Sequence, residues 1–226
     1  LQQSLISLRI IKRKSKKKLE DKKWIEQLKQ EYPALITDEI LKDEIKRPLE
    51  GYLYPATYPY YEKKPSLEAI LTKMIAQTNE ILVQYEGAMA DKEFSAHELL
   101  TLSSLIEEEA TEKADRGKIS SVFYNRLDEG MPLQTDPTVL YALGEHKGRT
   151  LYKDLEVDSP YNTYKVKGLP PGPIANAGVS SIEAALQPED TAYFYFLASA
   201  NGSVYYSETL EEHNEKKEKY ITNKEE

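Results

Sequence analysis

Three consecutive acids, Glu107, Glu108 and Glu109, close an apolar run that opens at Leu99. Along a helix each side chain turns by about 100° from the last. With Leu99 as origin, Leu102, Ile106 and Ala110 fall within roughly 60° of it. Glu109 then lies inside the apolar arc, between Leu102 and Leu105, and Glu107 lies at its edge beside Leu100. Glu108 points the opposite way, into solvent. A carboxyl pressed against apolar neighbours is desolvated, and desolvation raises its pKa. A second acid one helical step away raises it further. A carboxyl that stays protonated near neutral pH is what a general acid for glycosidic cleavage requires. The plainer alternative is a helix end carrying solvated glutamates, and spacing alone does not choose between Glu107 and Glu109.

Polar groups recur in the loops that follow: Asn125 and Arg126, then Gln134-Thr135-Asp136, then Tyr161-Asn162-Thr163-Tyr164. Amides, hydroxyls and tyrosine rings suit sugars, whose hydroxyls need polar partners and whose ring faces need flat apolar surface. Each cluster by itself is ordinary turn chemistry, and Asp136 before Pro137 reads as a turn or cap. Their combination with a half-buried acid favours a carbohydrate site. Metal and nucleotide chemistry find little support. The chain has no cysteine, and His97, His146 and His213 are not paired at ligand spacing. Gly168 to Gly178 is interrupted by proline and lacks the ending of a phosphate loop. No nucleophile elbow is present.

The positioning elements must come from a chain of 226 residues, 40% hydrophobic and 30% charged, which suffices for a folded core. A net charge of -8 argues against nucleic acid as a partner, and the basic cluster from Lys12 to Lys23 is local. No run of about 18 apolar residues appears, so nothing in the sequence spans a membrane, and no signal peptide is visible.

Residues 1–47 read as charge-rich helix, with Leu1, Leu5, Leu8 and Ile11 and then Trp24, Ile25, Leu28 and Tyr32 at helical spacing. Pro48, Pro55, Pro59 and Pro65 make the tyrosine-rich stretch between them extended or looped. Ser66 caps a helix with Ile70, Met74, Ile75, Ile81 and Leu82 as its buried face. Ser95 and Glu98 form a capping box for the helix that ends in the acids. A further helix carries Ile119, Val122, Phe123 and Leu127 and stops near Gly130. Residues 131–178, dense in proline, read as loop. A helix starts at Ser180 or Ser181. Tyr193–Ala198 reads as a buried strand, paired with Val204–Ser207 across Asn201-Gly202. A polar helix closes the chain. The expected fold is α+β, helix-rich, with a small antiparallel or mixed sheet.

Several of these segments resemble a known family. Ser104-Leu105-Ile106-Glu107-Glu108-Glu109, Val122-Phe123-Tyr124-Asn125-Arg126-Leu127 and Met131-Pro132-Leu133-Gln134-Thr135-Asp136-Pro137-Thr138 are similar to signatures of the YceG-like endolytic murein transglycosylases. So are Tyr161-Asn162-Thr163-Tyr164, Gly168-Leu169-Pro170-Pro171-Gly172-Pro173-Ile174 and, upstream, Leu49-Glu50-Gly51-Tyr52. Where the family often has Pro-Asp-Thr, this chain has Pro55-Ala56-Thr57. The resemblance implies a catalytic domain over 48–226. It also implies that 1–47 is a helical segment beside a trimmed LysM-like subdomain, the membrane anchor being absent from this sequence.

By the same resemblance Glu107 is the catalytic residue. Glu109 supports it, and Asn125, Gln134, Thr135, Asp136, Tyr161 and Asn162 line a glycan groove. The implied reaction cleaves the N-acetylmuramic acid–N-acetylglucosamine bond of nascent strands with a 1,6-anhydro end, and so terminates elongation. It needs no cofactor and no metal. The implied setting is the extracytoplasmic side of the cell membrane, with peptidoglycan strands as substrate and peptidoglycan synthases as partners. Two rivals remain: a lysozyme-like hydrolase using Glu107 and Asp136, and a non-catalytic glycan-binding or scaffold module displaying the Tyr52–Tyr61 aromatics.

Overall fold

The computed structural model describes residues 17–61, 64–112, 114–145, 147, 150–199 and 201–222. The apolar pattern from Leu1 to Ile11 and His146 lie outside them. Helix α1 (Lys22–Glu31) is capped by Asp21, whose carboxylate accepts from the Lys23 amide, and it buries Trp24, Ile25 and Leu28. A 3₁₀ turn over Asp38–Leu41 follows and buries Ile40. Helix α2 (Leu67–Gln84) starts at the Ser66 cap and buries Leu71, Ile75, Thr78, Ile81 and Leu82. Ile70 and Met74, expected on that face, are only half-buried, because the stripe is centred on Leu71 and Ile75. A short helix α3 (Glu86–Asp91) leads to the central element.

That element is α4 (Ala96–Glu109), which begins with the full Ser95–Glu98 capping box. Every residue from Leu99 to Ile106 is buried, Thr101, Ser103 and Ser104 included. A helix buried on all sides is the spine of a core. Helices α5 (Arg116–Asp128), α6 (Asp136–Leu143) and α7 (Val179–Leu186) pack on it. Apart from Glu98 in its first turn, only its last turn, with the three acids, reaches the surface. Asp115 caps α5 through the Gly117 and Lys118 amides, and the chain leaves past Gly130 at φ +60°.

Helix α6 lies in the stretch expected to be loop. Proline there misleads: Pro137 occupies the first turn, where its missing N–H costs nothing, and Gly144 ends the helix in the left-handed conformation. Strands β1 (Tyr195–Ala198) and β2 (Val204–Ser207) form a two-stranded antiparallel sheet with Tyr195 opposite Ser207 and Ala198 opposite Val204. β1 is half-buried rather than buried, and its last residue, Ala198, is exposed. Helix α8 (Leu210–Tyr220) lies on the hairpin, with the Tyr205 and Tyr220 rings stacked at 3.9 Å. The fold is α+β and helix-rich, and one apolar cluster runs continuously from Trp24 to Leu186.

Two of the singled-out segments explain each other. Gly51 has φ +83°, and a Cβ there would sit 2.4 Å from Pro173 Cβ, so only glycine lets the two loops meet. Next to it the fully buried Tyr52 hydroxyl lies 2.7 Å from His97 Nδ1, and His97 Nε2 lies 2.7 Å from the Pro171 carbonyl. A carbonyl only accepts, so Nε2 carries the proton and Tyr52 donates to Nδ1. This chain of bonds ties the 49–52 and 168–174 loops to the start of α4.

Candidate active site

The end of α4 delivers two carboxyls into different surroundings. Glu107 and Glu109 are half-buried, and Glu108 is exposed. On Glu107, Oε2 accepts from the Ser181 hydroxyl at 2.6 Å and from the Gly178 amide at 3.2 Å. Arg116 Nη2 approaches Oε1 at 3.9 Å, and Arg116 Nε also donates to Ser181 Oγ at 3.0 Å. One oxygen is therefore fixed by the entry to α7. The other faces a guanidinium, and about a third of the side chain remains open to solvent, at 31%.

Glu109 turns the other way. The Thr135 hydroxyl donates to its Oε1, and Thr135 is itself buried. Burial pushes the Glu109 carboxyl up to about 7; Thr135 opposes this, and the charges of Asp136 and Glu108 add to it. The raised carboxyl pKa expected at the end of the apolar face is thus found at Glu109. A carboxyl of this kind is about half protonated at neutral pH and can keep a second negative charge away from its neighbour.

The loop holding Thr135 is over-determined. Thr135 N donates to Thr163 Oγ1 at 3.1 Å, Gln134 N donates to the Thr163 carbonyl at 3.0 Å, and the Thr138 and Thr163 hydroxyls lie 2.8 Å apart. Gln134 sits at φ +53°, a conformation rarely adopted by residues other than glycine. Arg126 braces it from α5. The Arg126 guanidinium, 6% exposed, donates to the carbonyls of Phe194, Pro132 and Leu133 and to Gln134 Oε1. Tyr164 donates to Asp136 Oδ1 at 2.6 Å, and burial together with that bond raises the Tyr164 phenol above its usual range.

The structure divides the residues picked from sequence. Glu107, Glu109, Thr135 and Asp136 gather around the last turn of α4 and the start of α6, and Gln134 is exposed beside them. Asn125 instead holds the approach to β1, donating to the Thr191 and Tyr193 carbonyls. Asn162 is fully buried and closes its own loop through the Leu155 and Val157 carbonyls. Tyr161 is buried against Tyr141, with ring centroids 4.9 Å apart. These three frame the site from within.

The sequence does not mark Ser181, Gly178 and Arg116 as partners of Glu107. The only local sign was a serine in the first turn of a helix, and its role depends on a partner 74 residues away.

Recesses flank the acidic end. One of about 430 Å³ is lined by Arg116, Gly117 and Ser180, and another of about 340 Å³ by Glu108, Leu140, Tyr141 and Ile174. Among the described residues no cluster of three or more His, Asp or Glu is placed to hold a metal ion, and no helix is long and apolar enough to cross a membrane.

The model of the YceG-like family matches residues 4–219. The endolytic murein transglycosylase of Bacillus subtilis (strain 168) is 62% identical over 209 residues, covering 92% of this chain and 58% of that protein. The endolytic murein transglycosylase of Streptococcus pneumoniae serotype 2 (strain D39) is 36% identical over 214 residues, covering 92% of this chain and 39% of its own. A crystal structure described as a YceG-like protein of Listeria monocytogenes is similar with a TM-score of 0.88 at 55% identity, over 90% of this chain and 67% of that one. The chain therefore spans just over half the length of the Bacillus subtilis relative and less of the pneumococcal one. With the family model matched over nearly its whole length, this chain belongs to the YceG-like family.

Proposed function

We propose that this chain is the catalytic part of a peptidoglycan lytic transglycosylase, with Glu107 as its acid and base. One observation carries the reading: Glu107 is a partly open carboxyl at the end of a buried helix, with one oxygen anchored by Ser181 and Gly178. The relatives' printed name, endolytic murein transglycosylase, supplies the substrate class.

In this scheme Glu107 gives its proton to the oxygen between N-acetylmuramic acid and N-acetylglucosamine. The resulting carboxylate takes the proton from the muramyl C6 hydroxyl, which attacks C1 and closes the 1,6-anhydro ring. The glycosidic C1–O bond breaks, a new C1–O6 bond forms, and no water is consumed. One carboxyl acts in turn as acid and base. Arg116 steadies its charged form. Glu109, kept about half protonated by burial, lessens the second charge beside it. Gln134 and Asp136 would meet the strand where it leaves the acids, and the recesses on either side give it a path.

Peptidoglycan lies outside the cytoplasmic membrane, so we place the domain on that side, held there by an anchor outside this sequence and working beside peptidoglycan synthases to end nascent strands. We also take 48–226 as the catalytic domain proper, with 1–47 as the N-terminal helical segment that precedes it. Mass spectrometry of glycan strands incubated with the wild type and with Glu107→Gln tests the reaction. Anhydro-ended products from the wild type alone are expected. Reducing-ended products would replace the scheme with hydrolysis and make Asp136 the second carboxylate. Undiminished function in Glu107→Gln would replace it with a binding module.

A further inference from the structure

The recess beside Asp136 is separate from the two that flank the acids. It measures about 280 Å³ and is bordered by Asp136, Thr150, Leu151, Tyr152, Tyr164 and Lys217. We infer that it is a saccharide subsite that takes a single N-acetylated hexosamine, with the sugar face on Tyr152 and its hydroxyls and amide on Asp136 and Thr150. The inference rests on the glycan reading above, but it concerns binding and not bond cleavage.

Four observations converge on it. The Thr150 hydroxyl is shielded from solvent, yet it has no hydrogen-bond partner among the described residues. Such a group destabilises the fold unless something satisfies it. The Tyr152 ring stands 88% exposed beside Leu151 at 45%, so a flat apolar surface is offered to water with nothing packed on it. Asp136 commits Oδ1 to Tyr164, while Oδ2 receives no hydrogen bond from the described residues and is available to sugar hydroxyls. Lys217, exposed on α8, forms no ion pair among the described residues and stands at the rim, where a lactyl or peptide carboxylate of the strand would meet it.

Aromatic face, carboxylate acceptor and lone hydroxyl together match a pyranose. A carboxylate opposite a single lysine makes a poor phosphate site, which disfavours nucleotides. The volume falls just under the usual ligand-pocket range of about 300–1,000 Å³, enough for one ring and not for a strand. The position is pertinent to the acids: Asp136 directly follows Thr135, whose hydroxyl holds Glu109. A sugar seated here would load the loop that positions that carboxyl.

The test is a titration of the protein with a chitin tetrasaccharide followed by NMR shifts, run beside the cleavage assay. Tyr152→Ala and Thr150→Val should each weaken binding by roughly tenfold, and in cleavage raise KM with kcat within about twofold. Lys217→Ala should leave the neutral tetrasaccharide unaffected and weaken a muramic acid-containing fragment. Tyr61→Ala, at a still more exposed tyrosine outside the recess, serves as control. If the wild type cleaves glycan but Tyr152→Ala and Thr150→Val bind and cleave normally, the subsite is overturned and the enzymatic reading stands. If the wild type binds through Tyr152 but does not cleave, the subsite stands and the enzymatic reading falls. Loss of binding in Tyr61→Ala alone moves the site to the Tyr52–Tyr61 stretch and overturns the inference. Absence of both binding and cleavage in the wild type sinks both.

Discussion

The Ser181 hydroxyl donates to Glu107 Oε2 at 2.6 Å and in turn accepts from Arg116 Nε at 3.0 Å. Three elements, α4, α5 and α7, thus meet on one carboxyl, and the serine that joins them is fully buried. Its position in the first turn of α7 also places the Gly178 amide, ahead of the helix, within reach of the same oxygen.

Removing that hydroxyl leaves Glu107 and Arg116 without their shared partner. A hydrogen bond to a charged group is worth about 1.5–3 kcal/mol. Ser181→Ala should therefore lower kcat by roughly 10- to 100-fold with KM little changed, because the group positions the acid without binding the strand. Rates of anhydro-end release give kcat and KM directly. An unchanged kcat would mean that Gly178 and Arg116 suffice to hold the carboxyl.

Glu109 should make stability depend on pH. Its carboxyl is raised from 4.5 to about 7 in the fold, so between these values the native state binds more protons than the unfolded one. Stability then falls as pH rises through that window and levels off above it. By linkage the full change is of the order of 1–3 kcal/mol, reduced by the partial exposure of the group. Thermal melts at pH 5, 6, 7 and 8 should show a decline in the wild type that is flattened in Glu109→Gln. Parallel curves for the two proteins would remove Glu109 as the source.

Arg126 is predicted to be irreplaceable by lysine. Its planar fork reaches four acceptors in two segments, 132–134 and Phe194, and an ammonium on a flexible stem does not reproduce that geometry. Burial already lowers its pKa, so the site depends on a group that stays charged regardless. Arg126→Lys should cost about 2–4 kcal/mol in urea unfolding, since it leaves buried carbonyls unpaired. It should also slow cleavage by loosening Gln134 and Thr135. A loss below about 0.5 kcal/mol would contradict this account.

Much of the local structure is legible in the sequence. The Ser95–Glu98 box, the Ser66 cap, the break after Gly130 and the Asn201-Gly202 hairpin depend on residues a few positions apart, and each is present. The helical period also turned Glu107 and Glu109 inward and Glu108 outward, as observed. Proline density hides helix α6 in the sequence, although a proline in the first turn is compatible with a helix.

What the sequence by itself determined was the set of acids, which of them turn inward and the family the chain belongs to. Tertiary structure alone decided how they differ. Glu107 finds Ser181 across 74 residues and Glu109 finds Thr135 across 26, so two carboxyls on one helical turn acquire separate environments. Likewise Asn162 and Tyr161 read as groove residues by type, but they are turned inward by their loop. Periodicity orients a side chain relative to its own helix. Its partners, and so its desolvation and its charge, are set by whichever distant segment packs against it.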